Sequence, residues 1–358
     1  MMQAYFNGPV FTGDEILYDT AVLVEEGVIV SLLSPDQIPS HYVKWDLQSQ
    51  MLAPALIDLQ IYGGNGKMFS QETTVEAIEH TYEYCKSGGA HHFMITLATN
   101  SMEIFLKGIE AVKTYWANGG KGLLGLHLEG PYLNALKKGA HLENYIHAPA
   151  MDEVKQLMQA GKGVVKMMTL APECCDPAIV RYLQEEGVLI SAGHTNATYQ
   201  EATTAFNNGI PLATHLYNAM SGLQHRAPGM VGAIFDHPTA CSSIVCDGIH
   251  VDYAAARIAK NIMKERLFYI TDAVAEANGG GYAHVFRGDH YALPDGTLSG
   301  SALTMMQCVK NGVEHLGISL EESLRMASTY PAQFLTDRKL GRIAKGYEAE
   351  FLMVNSEW

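Results

Sequence analysis

The sequence has no long apolar run: nowhere do about 18 uncharged apolar residues follow one another, as a membrane-spanning helix would require. The opening residues 1–8 contain no basic stretch followed by an apolar one, so no secretory signal is predicted. The 6 cysteines form neither a Cys-x-x-Cys pair nor a spacing typical of a disulfide framework. We therefore expect no membrane partner, reduced cysteines and a cytoplasmic location.

Positive charge is also scarce, with 24 Lys and Arg against 38 Asp and Glu and a formal net charge of −14. Proteins that bind the nucleic-acid backbone usually present a basic surface, so a nucleic-acid partner is not expected. A small phosphorylated molecule is a different case, because one local group of Arg and His side chains can hold a phosphate within an acidic protein.

The chain has many short apolar runs, which alternate with helical patterns eight times. Its 358 residues, of which 47% are hydrophobic, can bury a large core. The candidate strands cover residues 52–59, 93–98, 123–129, 164–170, 188–194, 211–216, 243–248 and 267–272. The candidate helices cover residues 73–86, 101–117, 151–159, 176–186, 198–207, 253–264 and 302–316. Such an alternation is typical of a closed barrel or of an open, doubly wound parallel sheet.

Four polar residues favour the barrel. Glu129, His194, His215 and Asp272 each lie at the C-terminal end of a different candidate strand. A barrel brings these ends together at one mouth, whereas an open sheet spreads them along an edge. We therefore predict an α/β fold, a (β/α)8 TIM-like barrel.

The two ends of the chain carry short strand patterns of their own. Residues 16–33 read as strands with a turn at residues 25–27, and residues 341–343 and 351–354 read the same way. Neither end is long enough to bury a core alone. We predict one small β domain made of residues 1–51 plus 335–358, and a barrel made of residues 52–334.

The strand-end residues suggest metal chemistry. A single strand-end histidine is more often a hydrogen-bonded structural residue, and Glu129 before Gly130-Pro131 could simply cap a turn. Together, however, two imidazoles and a carboxylate make a ligand set for Zn²⁺ or a similar ion that leaves a position for water. Asp272 could then exchange protons with that water, or it could be a helix N-cap.

Several longer strings are far more specific than these single residues. The most distinctive are HLEGP at 127–131 and HLYNAM at 215–220, and the others are KGAH at 138–141, GHT at 193–195, RAPG at 226–229, DGIH at 247–250, TDA at 271–273 and LSGS at 298–301. In these strings, in this order and over nearly the whole chain, the sequence closely resembles N-acetylglucosamine-6-phosphate deacetylases of the amidohydrolase superfamily.

The resemblance implies an enzyme, a metal-dependent amidohydrolase, and a role for each matching residue. It implies that Glu129, His194 and His215 hold one divalent metal ion per subunit, and that Asp272 is the general base and then the acid. His141 would polarise the acetyl carbonyl and hold the substrate. The implied contacts to the amino-sugar phosphate are Ala140, Asn218, Ala219, Arg226, His250, Leu298, Ser299 and Gly300.

The resemblance also bears on assembly. Family members are commonly homodimers in which the Arg-bearing loop reaches into the neighbouring site, so we expect a homodimer. Without the resemblance, Arg226 beside His225 would be interpreted as a surface pair, His250 as a core histidine and His141 as part of a basic loop. The remaining histidines, among them His92 and His284, match no motif and are interpreted as structural or surface residues.

Two departures from the family pattern are visible. Many amidohydrolase barrels hold a second metal with His-x-His at the end of strand one, where this chain has Gln60 and Tyr62. An amide is a weak ligand for Zn²⁺, so we predict a single ion, with zinc expected and iron, cobalt or manganese as alternatives. The chain also stops at Trp358, where relatives usually continue, so we expect an abbreviated small β domain.

Three other functions remain open at this stage. The C4 epimer, N-acetylgalactosamine 6-phosphate, is an alternative substrate. A cyclic amidase of the dihydroorotase or hydantoinase kind would need a second metal and a bridging lysine, for which Lys166 on the fourth candidate strand is available. A non-catalytic sugar-phosphate sensor is opposed by the presence of all four strand-end residues.

Overall fold

The computed structural model describes residues 1–277 and 282–355. Its strands before the barrel are β1 (Met2–Phe6), β2 (Val10–Phe11), β3 (Ile16–Leu17), β4 (Ala21–Glu25), β5 (Val28–Leu33), β6 (Val43–Asp46) and β7 (Met51–Pro54). The next strands are β8 (Leu56–Ile61), β9 (Gly63–Gly64), β10 (Lys67–Met68), β11 (Ala90–Ala98), β12 (Leu123–Glu129), β13 (Val165–Leu170) and β14 (Leu189–Ala192). The last are β15 (Leu212–Ala213), β16 (Cys241–Ile244), β17 (Leu267–Tyr269), β18 (Val285–Phe286), β19 (His290–Ala292), β20 (Leu298–Ser301) and β21 (Phe351–Val354).

The helices are α1 (Val75–Ser87), α2 (Met102–Ala117), α3 (Met151–Gly161), α4 (Pro177–Glu185), α5 (Tyr199–Asn207), α6 (Gly229–Asp236), α7 (Tyr253–Met263), α8 (Met305–Asn311), α9 (Leu320–Ala327) and α10 (Thr329–Ala332). Seven of the ten helices in the described residues begin after a side chain that accepts a hydrogen bond from the first turn, the exceptions being α3, α6 and α10. Ser101 caps α2 and Asp176 caps α4, while Thr198 and Glu201 form a reciprocal capping box at α5. None of the helices in the described residues could cross a bilayer.

Eight parallel strands form the barrel, in the order β17-β16-β15-β14-β13-β12-β11-β8. Every residue of β8 and β12 is buried, because a strand between a filled interior and outer helices faces no solvent. The ring closes where the Asp272 N–H donates to the Gln60 carbonyl at 3.0 Å and the Tyr62 N–H donates to the Ala273 carbonyl at 2.9 Å. The predicted TIM-like barrel is confirmed.

Two further sheets are formed outside the barrel: β5-β4-β1-β6 consists of N-terminal strands alone, and both ends of the chain contribute to β21-β7-β2-β3. The C-terminal strand β21 runs antiparallel to β7, with Met353 opposite Leu52. Residues 341–343, predicted as a strand, form none: Ile343 is instead buried against Val10 and Val22 without joining a ladder. The proposed boundaries of a small β domain remain a prediction, and residues 356–358, including Trp358, lie outside the described part.

Two other expectations need correction. The apolar run 52–59 is not one strand, because Ala55 separates β7, which pairs with β21, from β8, which pairs with β11. The helix predicted over 302–316 begins only at Met305, after its cap Thr304, and its last turn, Gly312–Leu316, is a π-helix. Helices α6, α9 and α10 and the strands β18–β20 were not predicted.

His92 on β11 should make the fold sensitive to acid. Its side chain is buried, and neither ring nitrogen has a hydrogen-bond partner within residues 1–277 and 282–355. Burial lowers the pKa of His92 from 6.5 to about 4. Between about pH 6.5 and about pH 4 the unfolded chain therefore binds a proton at His92 that the folded chain does not. The contribution of His92 to the free energy of unfolding is complete above pH 6.5 and is lost as the pH falls from 6.5 towards 4.

We expect His92→Phe to lessen this loss. Between pH 7 and 4.5 the wild type should lose about 2 kcal/mol more unfolding free energy than the variant, because one pKa unit corresponds to about 1.4 kcal/mol. Urea unfolding at both pH values measures the difference. His41→Phe, at an exposed histidine, is the control. A His92→Phe protein with the same pH dependence as the wild type would contradict the prediction.

Candidate metal and catalytic site

The four strand-end residues come together at the C-terminal mouth of the barrel. Glu129 is the last residue of β12, while His194, His215 and Asp272 follow β14, β15 and β17 by two or three residues. All four are buried. The three that follow their strands have positive φ angles of 47°, 36° and 54°, a conformation that a non-glycine residue adopts at a cost of about 1–3 kcal/mol. The backbone therefore turns sharply after each of these strands, and the turns direct the three side chains into the barrel mouth.

Three of these side chains have the spacing of metal ligands. Glu129 Oε1 lies 3.3 Å from His194 Nε2 and 3.1 Å from His215 Nε2, and the two Nε2 atoms are 3.1 Å apart. A tetrahedral ion with bonds of about 2.0–2.1 Å holds its ligands about 3.3 Å from one another. The three atoms therefore form one face of such a site. The donor set fits a divalent cation.

Glu129 and His194 could also bind a cation together with His141, whose ligand atom lies within 4.8 Å of theirs. The hydrogen bonds of His141 favour His215 as the third ligand. The Thr99 N–H donates to His141 Nδ1 at 3.3 Å, so a neutral His141 carries its proton on Nε2, which donates to Glu129 Oε2 at 3.1 Å. His141 is therefore a hydrogen-bond donor here. His194 donates from Nδ1 to the Lys137 carbonyl at 2.9 Å and keeps an Nε2 lone pair for a metal.

Asp272 lies beside this set. Burial raises the pKa of Asp272; the nearby His215 opposes the shift, and the negative Glu129 adds to it. The Gln60 amide donates to Asp272 Oδ1 at 2.8 Å. A carboxylate with a raised pKa, fixed by one oxygen, can accept a proton at the other.

The two residues that replace His-x-His contact the same carboxylates. The Tyr62 hydroxyl donates a hydrogen bond to Glu129 Oε2, and the Gln60 amide nitrogen lies 3.2 Å from Glu129 Oε1. Both side chains are buried. The sequence indicated only that they are poor metal ligands, and their hydrogen bonds to Glu129 and Asp272 were not predicted.

A cavity of about 160 Å³ opens onto these groups. Its walls include seven of the residues implied to bind substrate, namely Ala140, His141, Asn218, Ala219, His250, Leu298 and Ser299. Gly300 is buried and does not line the cavity, and an added Cβ there would lie 2.5 Å from the lining residue Val274. Arg226 is not in the wall: it is exposed, and it has no hydrogen bond or ion pair to any described residue.

His250 presents an unsatisfied nitrogen to this cavity. Its Nδ1 lies 2.6 Å from Asp247 Oδ2, and the same carboxylate accepts from the backbone N–H of Ile249 and of His250. Its Nε2 is buried without a hydrogen-bond partner among the described residues. A buried polar atom left unpaired costs free energy, so this nitrogen is suited to a polar ligand.

The family of the chain follows from comparison with known proteins. A model described as the Amidohydrolase family matches residues 51–358, and one described as the NagA composite domain matches residues 2–52. The chain belongs to the amidohydrolase family. Together with the deacetylase relatives below, this family makes the chain a hydrolytic enzyme that acts on an amide, and it implies a divalent metal ion, which agrees with the Glu/His set at the barrel mouth.

Three relatives of this amidohydrolase are informative. N-acetylglucosamine-6-phosphate deacetylase of Haemophilus influenzae is 32% identical, covering 100% of this chain and 99% of its own. N-acetylgalactosamine-6-phosphate deacetylase of Shewanella sp. is 30% identical, covering 97% and 91%. The crystal structure of N-acetylglucosamine-6-phosphate deacetylase from Pasteurella multocida superposes with a TM-score of 0.94 at 34% identity, covering 100% of this chain and 96% of the other.

The cavity of this amidohydrolase also contains residues that no motif indicated. His284, interpreted from sequence as structural or surface, is in the wall, with its Nδ1 2.9 Å from Ser299 Oγ. Burial lowers the pKa of His284 to about 4. Met68, Val274 and Tyr282 form an apolar side of the same wall. No local pattern marks these residues, because the segments that carry them meet only in the folded chain.

Proposed function

We propose that this amidohydrolase removes the acetyl group from N-acetylglucosamine 6-phosphate, giving glucosamine 6-phosphate and acetate. This proposal is supported above all by the arrangement of the ligand atoms of Glu129, His194 and His215 on one face of a metal site. Asp272 lies beside them and lines the same cavity. The name of the Haemophilus influenzae relative, which spans the whole chain, supports the substrate.

The cofactor in this proposal is one divalent ion, with zinc as the proposed metal and iron, cobalt or manganese acceptable to the same ligands. Bound there, the ion supplies a Lewis acid and lowers the pKa of a coordinated water to about 7. The proposal of a single ion rests on Gln60 and Tyr62, which donate hydrogen bonds to the site carboxylates where a second ion would need imidazole ligands.

The protein groups then move protons and stabilise charge. Asp272 takes a proton from the attacking water and gives it to the nitrogen as the amide C–N bond breaks, so that the nitrogen leaves as an amine. The Nε2–H of His141, fixed by Thr99, is the donor that would turn to the acetyl carbonyl as negative charge develops on it. Water and the amide become acetate and the protonated amine, so atoms, protons and charge balance.

The sugar phosphate would occupy the remaining wall. His250, held by Asp247, offers its free Nε2, with Asn218, Ala219 and Ala140 nearby. Leu298 and Ser299 would contact the sugar, with Gly300 supporting that strand. Because Arg226 is exposed and unpaired among the described residues of its own chain, we propose a homodimer in which this arginine completes the phosphate site of the partner subunit.

Arg226→Ala should then raise the KM for the phosphorylated substrate by about 10–100-fold, because a hydrogen bond to a charged group contributes about 1.5–3 kcal/mol. The kcat should change little, since Arg226 is remote from the reacting amide. Steady-state kinetics measure both constants, and sedimentation velocity measures the assembly. Arg181→Ala, at an exposed arginine on the barrel flank, is the control. An unchanged KM would remove Arg226 from the phosphate site.

N-acetylgalactosamine 6-phosphate is the second candidate substrate, because a relative covering 97% of the chain is named for it. Acetate release should be measured from both epimers and from unphosphorylated N-acetylglucosamine, with metal content determined on the same sample. We expect kcat/KM to be highest for N-acetylglucosamine 6-phosphate. Equal turnover of the unphosphorylated sugar would contradict the phosphate site, and no acetate from any of the three would contradict the function.

A cyclic amidase is disfavoured by the position of Lys166. This lysine lies at the start of β13, away from the strand ends that carry the site, and its Nζ pairs with Asp337 Oδ2 at 3.1 Å. It is therefore not placed to bridge two metals. A cytoplasmic location is proposed with the function, since the substrate is a phosphorylated sugar.

A further inference from the structure

Tyr62 and Gln60 lie between the metal-ligand set and Asp272. Tyr62 follows β8 directly, and its ring packs in an apolar cluster with Met68, Ala98 and Val274. Its hydroxyl points away from this cluster and donates to Glu129 Oε2. Because the ring of Tyr62 is packed in this cluster, its hydroxyl has little freedom to break the hydrogen bond to Glu129.

The two oxygens of Glu129 have different partners. Oε1 faces His194 Nε2 and His215 Nε2, the other two atoms of the ligand face. Oε2 accepts hydrogen bonds from the Tyr62 hydroxyl and from His141 Nε2. An oxygen that accepts two such bonds is held away from the cation position. Glu129 would therefore bind a cation through Oε1 alone.

Gln60 connects Tyr62 to Asp272. Its Nε2 lies 2.8 Å from Asp272 Oδ1, 2.9 Å from the Tyr62 hydroxyl oxygen and 3.2 Å from Glu129 Oε1. An amide nitrogen has two protons, so the two shorter contacts take them. The backbone adds a further tie, because the Asp272 N–H donates to the Gln60 carbonyl at 3.0 Å. One chain of hydrogen bonds thus runs from Asp272 through Gln60 and Tyr62 to Glu129.

We infer that Tyr62 is a positioning residue, whose hydroxyl makes Glu129 bind the cation through one carboxylate oxygen only. The Gln60 amide, in turn, holds the Asp272 carboxylate in a fixed position relative to Tyr62 and Glu129. A one-oxygen carboxylate leaves a coordination position for water or for the acetyl carbonyl, whereas a two-oxygen carboxylate would fill it. This inference rests on the proposed function, because it assigns Glu129 to a metal and Asp272 to proton transfer.

The test is Tyr62→Phe, which removes the hydroxyl and keeps the packed ring. Metal-free protein should be titrated with Co²⁺ alone, and the visible spectrum recorded. Outer hydrogen-bond partners of metal ligands typically contribute about 10–100-fold in affinity or activity, so Co²⁺ should bind about 10–100-fold more weakly. The visible absorption of the bound Co²⁺ should also weaken. Without the Tyr62 hydroxyl, Oε2 of Glu129 is free to bind the ion and raises its coordination number. The kcat should fall by a similar factor, with a smaller change in KM.

Tyr84→Phe is the matched control. It removes another largely buried phenol hydroxyl, one that donates to the carbonyls of Ala302 and Leu303 and touches neither carboxylate. Its Co²⁺ affinity and spectrum should be those of the wild type. Unchanged Co²⁺ affinity and spectrum in Tyr62→Phe would overturn the inference.

Gln60→Met provides an independent variant should Tyr62→Phe not fold. It removes both amide protons with little change in side-chain length. We expect a near-wild-type Co²⁺ spectrum, a kcat lowered by about 10–100-fold and a smaller change in KM. An unchanged kcat would overturn the role assigned to Gln60. The Co²⁺ measurements use no sugar, so a failure of acetate release in the wild type contradicts the proposed function without deciding the Tyr62 result.

Discussion

Asp272→Asn is expected to lower kcat by about 10²–10⁴-fold, the range that a positioned general acid–base group contributes. The substitution keeps the size of the side chain, and the Gln60 amide can still donate to the remaining carbonyl oxygen. The amide NH₂ group then occupies the place of the free carboxylate oxygen, where it cannot accept the proton of water. Metal content and KM should stay close to wild-type values, because Asp272 is outside the face of ligand atoms.

Steady-state acetate release and metal analysis of the same sample test this expectation. Asp252→Asn is a suitable control, since Asp252 is exposed and caps α7, where its side chain accepts from the Ala254 N–H, and it does not line the cavity. A near-normal kcat in Asp272→Asn would refute its role in proton transfer. Loss of the metal in that variant would instead make Asp272 a ligand.

His194→Ala should remove the bound ion and, with it, the activity. The remaining Glu129 and His215 offer two of the three atoms that make the ligand face. We expect much less than one ion per chain after dialysis and a fall in kcat/KM of more than about 100-fold, above the effect usual for an outer hydrogen-bond partner. Metal analysis and kinetics measure the two quantities.

Thermal unfolding gives an independent measure of the same change. A ligand that binds only the folded chain raises its stability, so a chelator should lower the Tm of the wild type. The chelator should have little effect on His194→Ala, which has no ion to lose. His147→Ala, at an exposed histidine, should behave as the wild type. A full stoichiometric ion in His194→Ala would show that the ligand was misassigned.

The strand-end residues could be predicted because their signal is local. Glu129 follows the apolar run of β12, and His194 and His215 follow those of β14 and β15, so each is a polar residue placed after a buried strand. A parallel barrel then brings such positions to one mouth without further information. The same logic predicted a strand-end position for Asp272, and only the structure shows that the Gln60 amide donates a hydrogen bond to its carboxylate.

Other features depend on segments distant in sequence and had no local signal. The apolar run 52–59 reads as one strand, yet its halves belong to different sheets, since β7 pairs with the C-terminal β21. His284 directly precedes β18, and in the cavity wall its side chain contacts that of Ser299. Arg226 belongs to the RAPG motif at 226–229, but its exposure in the folded chain could not be predicted from that motif.

By itself the sequence determined the barrel, the identity of the strand-end residues and the family motifs, because hydrophobic periodicity and short strings are properties of neighbouring residues. Only the tertiary structure decided which nitrogen of His141 carries the proton, which oxygen of Glu129 faces the histidines, and what Gln60 and Tyr62 do. These depend on hydrogen bonds across the closed barrel, between β8, β12 and the turn after β17. Their geometry exists only when strands far apart in the chain lie side by side.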